Sequence, residues 1–190
     1  MKSNRIVLLL ATAILASVMF TGCKKKEEDP AAADENELIT TIRMRFTEGS
    51  TTRTFTYRDL DGAGGNPPVV DNITLTNGRT YTLAIEVLNE SNPSKIEDKT
   101  AEILSEGYEH QFFFTGNATN LVTFTYNDRD RDSRPIGLSN TVVARNTGSG
   151  ALIVTLRHDL NKAAAGVANG QITNAGGSTD IEVNFNVSVQ

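Results

Sequence analysis

Tyr81-Thr82-Leu83-Ala84-Ile85-Glu86-Val87 alternates large apolar side chains with small or polar ones. A period of two places Tyr81, Leu83, Ile85 and Val87 on one face of an extended chain. The same alternation recurs along the sequence. Leu38, Ile42, Met44 and Phe46 oppose Ile39, Arg43 and Arg45, and further runs are Phe112 and Phe114, then Leu152, Val154 and Leu156, then Ile181, Val183, Phe185 and Val187. Alternation this strict, rich in threonine, valine and aromatics, predicts about eight or nine half-buried antiparallel strands. Asn77-Gly78 and Thr147-Gly148-Ser149-Gly150 sit where tight hairpin turns are needed.

Thr54-Phe55-Thr56-Tyr57-Arg58-Asp59-Leu60-Asp61 returns as Thr123-Phe124-Thr125-Tyr126-Asn127-Asp128-Arg129-Asp130, six identities in eight at an offset of 69 residues. The same offset, without a gap, pairs Ile73 with Val142, Leu83 with Leu152, Ile85 with Val154 and Val87 with Leu156. Preservation of the apolar phase beyond the octapeptide reads as duplication of one strand-loop-strand-strand unit. Between the repeats, Ser94-Lys95-Ile96-Glu97 has the form of a capping box, and Ile96, Thr100, Ile103 and Leu104 share a face at helical spacing before Gly107. Four strands cannot bury a face alone, so the halves are expected to pack as the two sheets of one β-sandwich, with a pair of small domains as the alternative. The predicted fold class is therefore all-β: an antiparallel sandwich built from a duplicated four-strand unit, with one short helix between repeat one (37–107) and repeat two (108–190).

The first residues predict an address. Lys2 and Arg5 precede an uncharged apolar run from Ile6 to Phe20, the layout of an export signal and too short for a comfortable span, which needs about 20 residues. The run ends Phe20-Thr21-Gly22-Cys23, which resembles the lipobox of bacterial lipoproteins. That resemblance implies a signal peptide over 1–22, cleavage before Cys23 and lipidation of Cys23; a free thiol is the alternative. Cys23 is the only cysteine, so no disulfide within the chain is available. Lys24-Lys25-Lys26-Glu27-Glu28-Asp29 resembles the lysine-then-acidic export signal of surface lipoproteins of the Bacteroidota, and a plain solvated linker fits the same composition. Residues 23–36 read as lipid site and polar tether, and the folded domain as 37–190.

Loss of Lys2 and Arg5 takes the net charge from −5 to about −7. An acidic surface repels phosphate backbones, which argues against a nucleic-acid partner. The chain has no Gly-x-Ser-x-Gly elbow, no His-Glu-x-x-His helix, no phosphate loop and no cysteine free to act as nucleophile. The expectation is a protein that is not an enzyme.

Two sets of residues carry candidate chemistry. Asp59 and Asp61 in one repeat, and Asp128, Asp130 and Asp132 in the other, place oxygens on alternate residues of a turn, an arrangement that can converge on Ca²⁺. Arg129, Arg131 and Arg134 sit among the second set, so a salt-bridged turn without metal fits equally. His110 and His158, the only histidines, share phase with Phe112 and Phe114 and with Leu152, Val154 and Leu156, which puts both at the inward edge of the sandwich. Neutral imidazoles there could ligate haem or a transition metal; two unrelated strand-end histidines are the alternative.

Glu37-Leu38-Ile39-Thr40-Thr41, Asp59-Leu60-Asp61-Gly62, Glu109-His110-Gln111-Phe112-Phe113-Phe114 and Ile172-Thr173-Asn174-Ala175-Gly176-Gly177 together resemble a group of small Bacteroidota lipoproteins that carry the label "type 1 periplasmic binding fold superfamily protein". The resemblance implies an envelope location and ligand binding, and transfers no catalytic residue. The label describes two α/β lobes, whereas the periodicity here is of strands almost throughout. The combined expectation is a lipid-anchored outer-membrane module, at the cell surface or alternatively on the periplasmic face, that binds a ligand or an outer-membrane receptor, in the manner of an accessory to TonB-dependent uptake. Its rivals are a structural or adhesive surface module and a haem or metal scavenger.

Overall fold

The computed structural model describes residues 38 to 62 and 64 to 190. The expected signal peptide, Cys23 and the tether lie outside the described residues. The elements are β1 (Thr41–Glu48), β2 (Thr51–Arg58), β3 (Val69–Val70), β4 (Ile73–Leu75), β5 (Thr80–Asn89), β6 (Glu97–Asp98), α1 (Thr100–Ser105), β7 (His110–Thr115), β8 (Val122–Tyr126), β9 (Ser139–Ala144), β10 (Gly148–His158) and β11 (Ser178–Val189). These eleven strands exceed the eight or nine expected because β3, β4 and β6 are two or three residues long, too short for alternation to mark them.

Seven strands form one sheet in the order β3-β2-β1-β5-β9-β8, with β6 beside β5, and four form the other in the order β4-β11-β10-β7. Pairing is antiparallel apart from β4, which runs parallel to β11. The core is what the alternation called for. Ile42, Met44 and Phe46 of β1 and Leu83 and Ile85 of β5 meet Phe112 of β7, Leu152 and Val154 of β10, and Phe185 of β11, all at or near zero exposure. Each such side chain contributes about 1.5–3 kcal/mol by leaving water. Phe114 of β7 stacks on Phe124 of β8 with centroids 4.3 Å apart, joining the two sheets.

The repeats do not form one sheet each. At the 69-residue offset, β2 and β8 lie in the same sheet, while β5 and β10 lie in opposite ones. The reason lies in the turns. Asn77-Gly78 does not close a hairpin; it carries the chain across the sandwich from β4 to β5, with Gly78 at φ +75° and its N–H donating to the Ala144 carbonyl at 2.8 Å. The equivalent crossing runs from β9 to β10, and Gly148 to Gly150 already belong to β10. The two-residue hairpin is at Gly49-Ser50, where Glu48 faces Thr51 in register and Gly49 takes φ +57°, the positive angle such a turn needs.

The helix also differs from its expectation. Ser94 caps nothing; the chain turns at Asn92, whose side chain accepts the Ser94 N–H at 3.0 Å. Glu97 and Asp98 then pair with β5 as β6. Helix α1 starts only at Thr100, Ile103 is its buried residue, and Ile96 and Leu104 remain exposed. The ladder bonds to β5 outcompete a first helical turn that has no side-chain cap.

β7 is buried on both faces. Phe112 and Phe114 point into the core, and Phe113 points outward against Leu160, Val167 and Ala175. The segment from Asp159 to Gly177 thus folds over the outer face of the smaller sheet.

Candidate functional site

β7 and β10 are neighbours, and their register sets His110 opposite His158. Both histidines keep the inward phase read from the sequence. Their rings lie face to face, centroids 4.5 Å apart and planes 9° from parallel.

Between them comes a residue the alternation did not offer. Along β11 the inward positions are Val183, Phe185 and Val187, so Asp180 would face outward in an unbroken ladder. The ladder breaks: Leu156 opposes Ile181, but Arg157 opposes Thr179, leaving Asp180 as the extra residue of a β-bulge. A bulge re-aims a side chain. The Asp180 side chain is only 5% exposed, with its carboxylate 3.5 Å from His110 Nε2 and 3.7 Å from His158 Nδ1. Arg157 fixes the turn beside the bulge, donating to the carbonyls of Gly176 at 2.6 Å and Gly177 at 2.7 Å and to the Thr179 hydroxyl at 2.5 Å. Gly177 is at φ +68°, and a Cβ there would overlap the His158 carbonyl oxygen.

The remaining nitrogen of His110 is backed by an acceptor, and that of His158 has two carboxylates in its neighbourhood. His110 Nδ1 lies 3.2 Å from the carbonyl of Glu106, the residue that ends α1, and a carbonyl there requires Nδ1–H, which leaves Nε2 to face Asp180. His158 Nε2 lies 4.0 Å from Glu109 and 3.9 Å from Asp159. Beside His110 and Asp180 a cavity of about 30 Å³ is lined by Ile39, Ile103 and Leu156 together with Lys99 and Glu102. It has room for a small ion or a few waters.

Under this end lies a buried charge pair. Lys162 Nζ is 2.7 Å from Asp130 Oδ2, both side chains 1% exposed, and donates to the carbonyls of Gly107 at 2.5 Å and His110 at 2.9 Å. Burial pushes Lys162 below the usual lysine range, against the pull of Asp130. Burial alone would raise Asp130, but hydrogen bonds from Lys162 and from the N–H groups of Arg134 and Asp132 outweigh it and hold the carboxyl below its ordinary value. The pair pins the covering segment to the start of β7.

The acidic loops hydrogen-bond to their own backbone. Asp59 accepts the Gly62 N–H at 3.1 Å, and Asp61 accepts the Asn66 N–H at 2.9 Å. Asp128 accepts the N–H groups of Gly137 at 2.8 Å and Ser139 at 3.0 Å, and Asp130 accepts those of Asp132 and Arg134. Asp132 itself is exposed. These carboxylates brace their own turns. Among the described residues, the groups whose ligand atoms fall within 4.8 Å of one another are His110, His158 and Asp180, and Glu109, His158 and Asp159. The structure thus brings the two sequence-chosen histidines together and adds Asp180, while Asp59 and Asp61 stay apart from Asp128 and Asp130.

No protein-family model, curated protein or solved structure matches this chain.

Proposed function

We propose that this chain is an exported lipoprotein of the bacterial outer membrane, anchored through Cys23 and displayed at the cell surface. In this reading it is a non-enzymatic binding module, an accessory to a TonB-dependent uptake system. The address rests on the apolar segment from Ile6 to Phe20 followed by Thr21-Gly22-Cys23. The multiple chains of a mature lipoprotein hold firmly where one would not. The observation that carries the binding part is the polar constellation His110, His158 and Asp180 at one end of the sandwich, beside its apolar core. Desolvating a carboxylate and two imidazoles is costly, a cost that a bound ligand of opposite charge would offset.

A second reading, a structural or adhesive surface module, is favoured by the well-filled interior, whose cavity at this end holds about 30 Å³. Metabolic labelling with an alkyne palmitate, proteolysis of intact cells and crosslinked pull-down from membranes test both. Labelling that Cys23→Ser abolishes, cleavage on intact cells and recovery of a receptor support the uptake accessory. An unlabelled chain removes the anchor, and recovery of no receptor leaves the structural module.

A further inference from the structure

Resting on the binding role just proposed, the geometry points to a divalent transition metal as the ligand of this end, held by His110 Nε2, His158 Nδ1 and the Asp180 carboxylate. A tetrahedral ion with bonds of about 2.0–2.1 Å separates its ligands by about 3.3 Å. His110 Nε2 lies 3.5 Å from Asp180 Oδ2 and His158 Nδ1 lies 3.7 Å from Asp180 Oδ1, so each ring nitrogen is near that spacing from one oxygen of the carboxylate, and one ligand atom from each of the three residues falls within 4.8 Å of the others. Two imidazoles and one carboxylate suit Zn²⁺ and its neighbours rather than Ca²⁺ or Mg²⁺, which take oxygen.

The surroundings of His110 match what a metal histidine requires. Such a ligand donates its other N–H to a carbonyl or carboxylate, which fixes the ring and its tautomer. His110 has the Glu106 carbonyl in that place at 3.2 Å; His158 Nε2 has the Glu109 and Asp159 carboxylates nearby, at 4.0 and 3.9 Å, beyond hydrogen-bond length in this ring position. Three carboxylates, Asp180, Glu109 and Asp159, around the two imidazoles also favour a cation, and the one lysine lining the cavity, Lys99, is matched by Glu102 at 2.9 Å. Face-to-face rings send their lone pairs along parallel lines, so chelation by both requires one ring to turn. His158, 19% exposed against 7% for His110, is the ring with room to do so. Three protein ligands leave a fourth position open toward solvent or toward a partner that would receive the ion.

The test uses the mature lipidated chain in detergent, without a histidine tag, stripped with chelator and titrated with Co²⁺ while d–d absorption is recorded. One equivalent of Co²⁺ with tetrahedral absorption, displaced by Zn²⁺ and unaffected by excess Ca²⁺, is expected. His158→Ala and Asp180→Asn should abolish the signal, and Glu109→Gln, which keeps the ligands, should weaken binding about 10- to 100-fold. Circular dichroism establishes that each variant is folded; should Asp180→Asn not fold, His158→Ala and Glu109→Gln decide. Absence of binding at about 0.1 mM metal, or binding that survives His158→Ala, overturns the inference. A chain that is lipidated and captures a receptor yet binds no metal loses this inference alone, whereas metal binding by a chain that is not lipidated removes the anchor and leaves the metal site standing.

Discussion

Lys162→Met should be among the most damaging single substitutions away from the apolar core. The ammonium serves three acceptors at once: Asp130 Oδ2 at 2.7 Å and the carbonyls of Gly107 and His110 at 2.5 and 2.9 Å. Methionine fills the volume and serves none of them. Removing one partner of a buried pair costs about 3–5 kcal/mol, because the other charge is left without compensation. Asp130 keeps two backbone N–H donors on its other oxygen, which places the loss near the lower half of that range, about 3–4 kcal/mol. With a urea slope of about 2 kcal/mol/M, the midpoint should fall by about 1.5–2 M. The assay is urea unfolding at neutral pH followed by circular dichroism, since the chain has no tryptophan. Asp130→Asn should cost a comparable amount, and the double variant clearly less than the two singles together. The pH dependence has a definite sign. Asp130 is held below its unfolded value, so its contribution is present above about pH 3.9 and lost as pH falls through the lower folded value. The gap between wild type and variant should therefore close in acid. A loss under about 1 kcal/mol, or additive single losses, would refute the reasoning.

Three further outcomes are expected. Phe112→Ala empties a site of zero exposure between the sheets and should cost about 3–5 kcal/mol in the same assay, whereas Leu38→Ala, at an exposed residue ahead of β1, should stay within about 0.5 kcal/mol. Gly177→Ala strains a residue at φ +68° and presses on the His158 carbonyl, so a loss of about 1–3 kcal/mol should appear in thermal melts, with a shift of the His158 ring resonances. Burial pushes the Tyr126 hydroxyl up to about 12, where it donates to the Phe112 carbonyl at 2.7 Å. Ultraviolet titration should find one of the four tyrosines ionising near that value, and the stability this residue contributes should be intact below about pH 10 and fade between there and 12.

The alternation in β1, β5, β10 and β11 was readable because each strand has one face in a single apolar core, and period two follows from that alone. It also carried the histidines, since His110 and His158 continue the inward phase of their strands. Asp180 was hidden by the same rule: by parity it faces outward, and only the bulge at Leu156 and Arg157 brings it in. A bulge leaves no mark on composition. The pairing of Lys162 with Asp130 was equally silent, because 31 residues of loop and strand lie between them and no periodicity links two loops. The exchange of strands between repeats went unread because a turn sequence such as Asn77-Gly78 states a backbone angle, and says nothing of which sheet the next strand joins. The acidic loops share a readable octapeptide, but carboxylates that accept backbone N–H groups, as Asp59, Asp61, Asp128 and Asp130 do, and carboxylates that bind an ion share one spelling.

The most direct measurement is anomalous diffraction at the zinc edge from crystals of this protein equilibrated with Zn²⁺. The expected result is one strong peak at about 2.1 Å from His110 Nε2, His158 Nδ1 and an Asp180 oxygen, with the His158 ring turned out of its stack. Peaks confined to surface carboxylates, with the two rings still stacked and no density between them and Asp180, would contradict it.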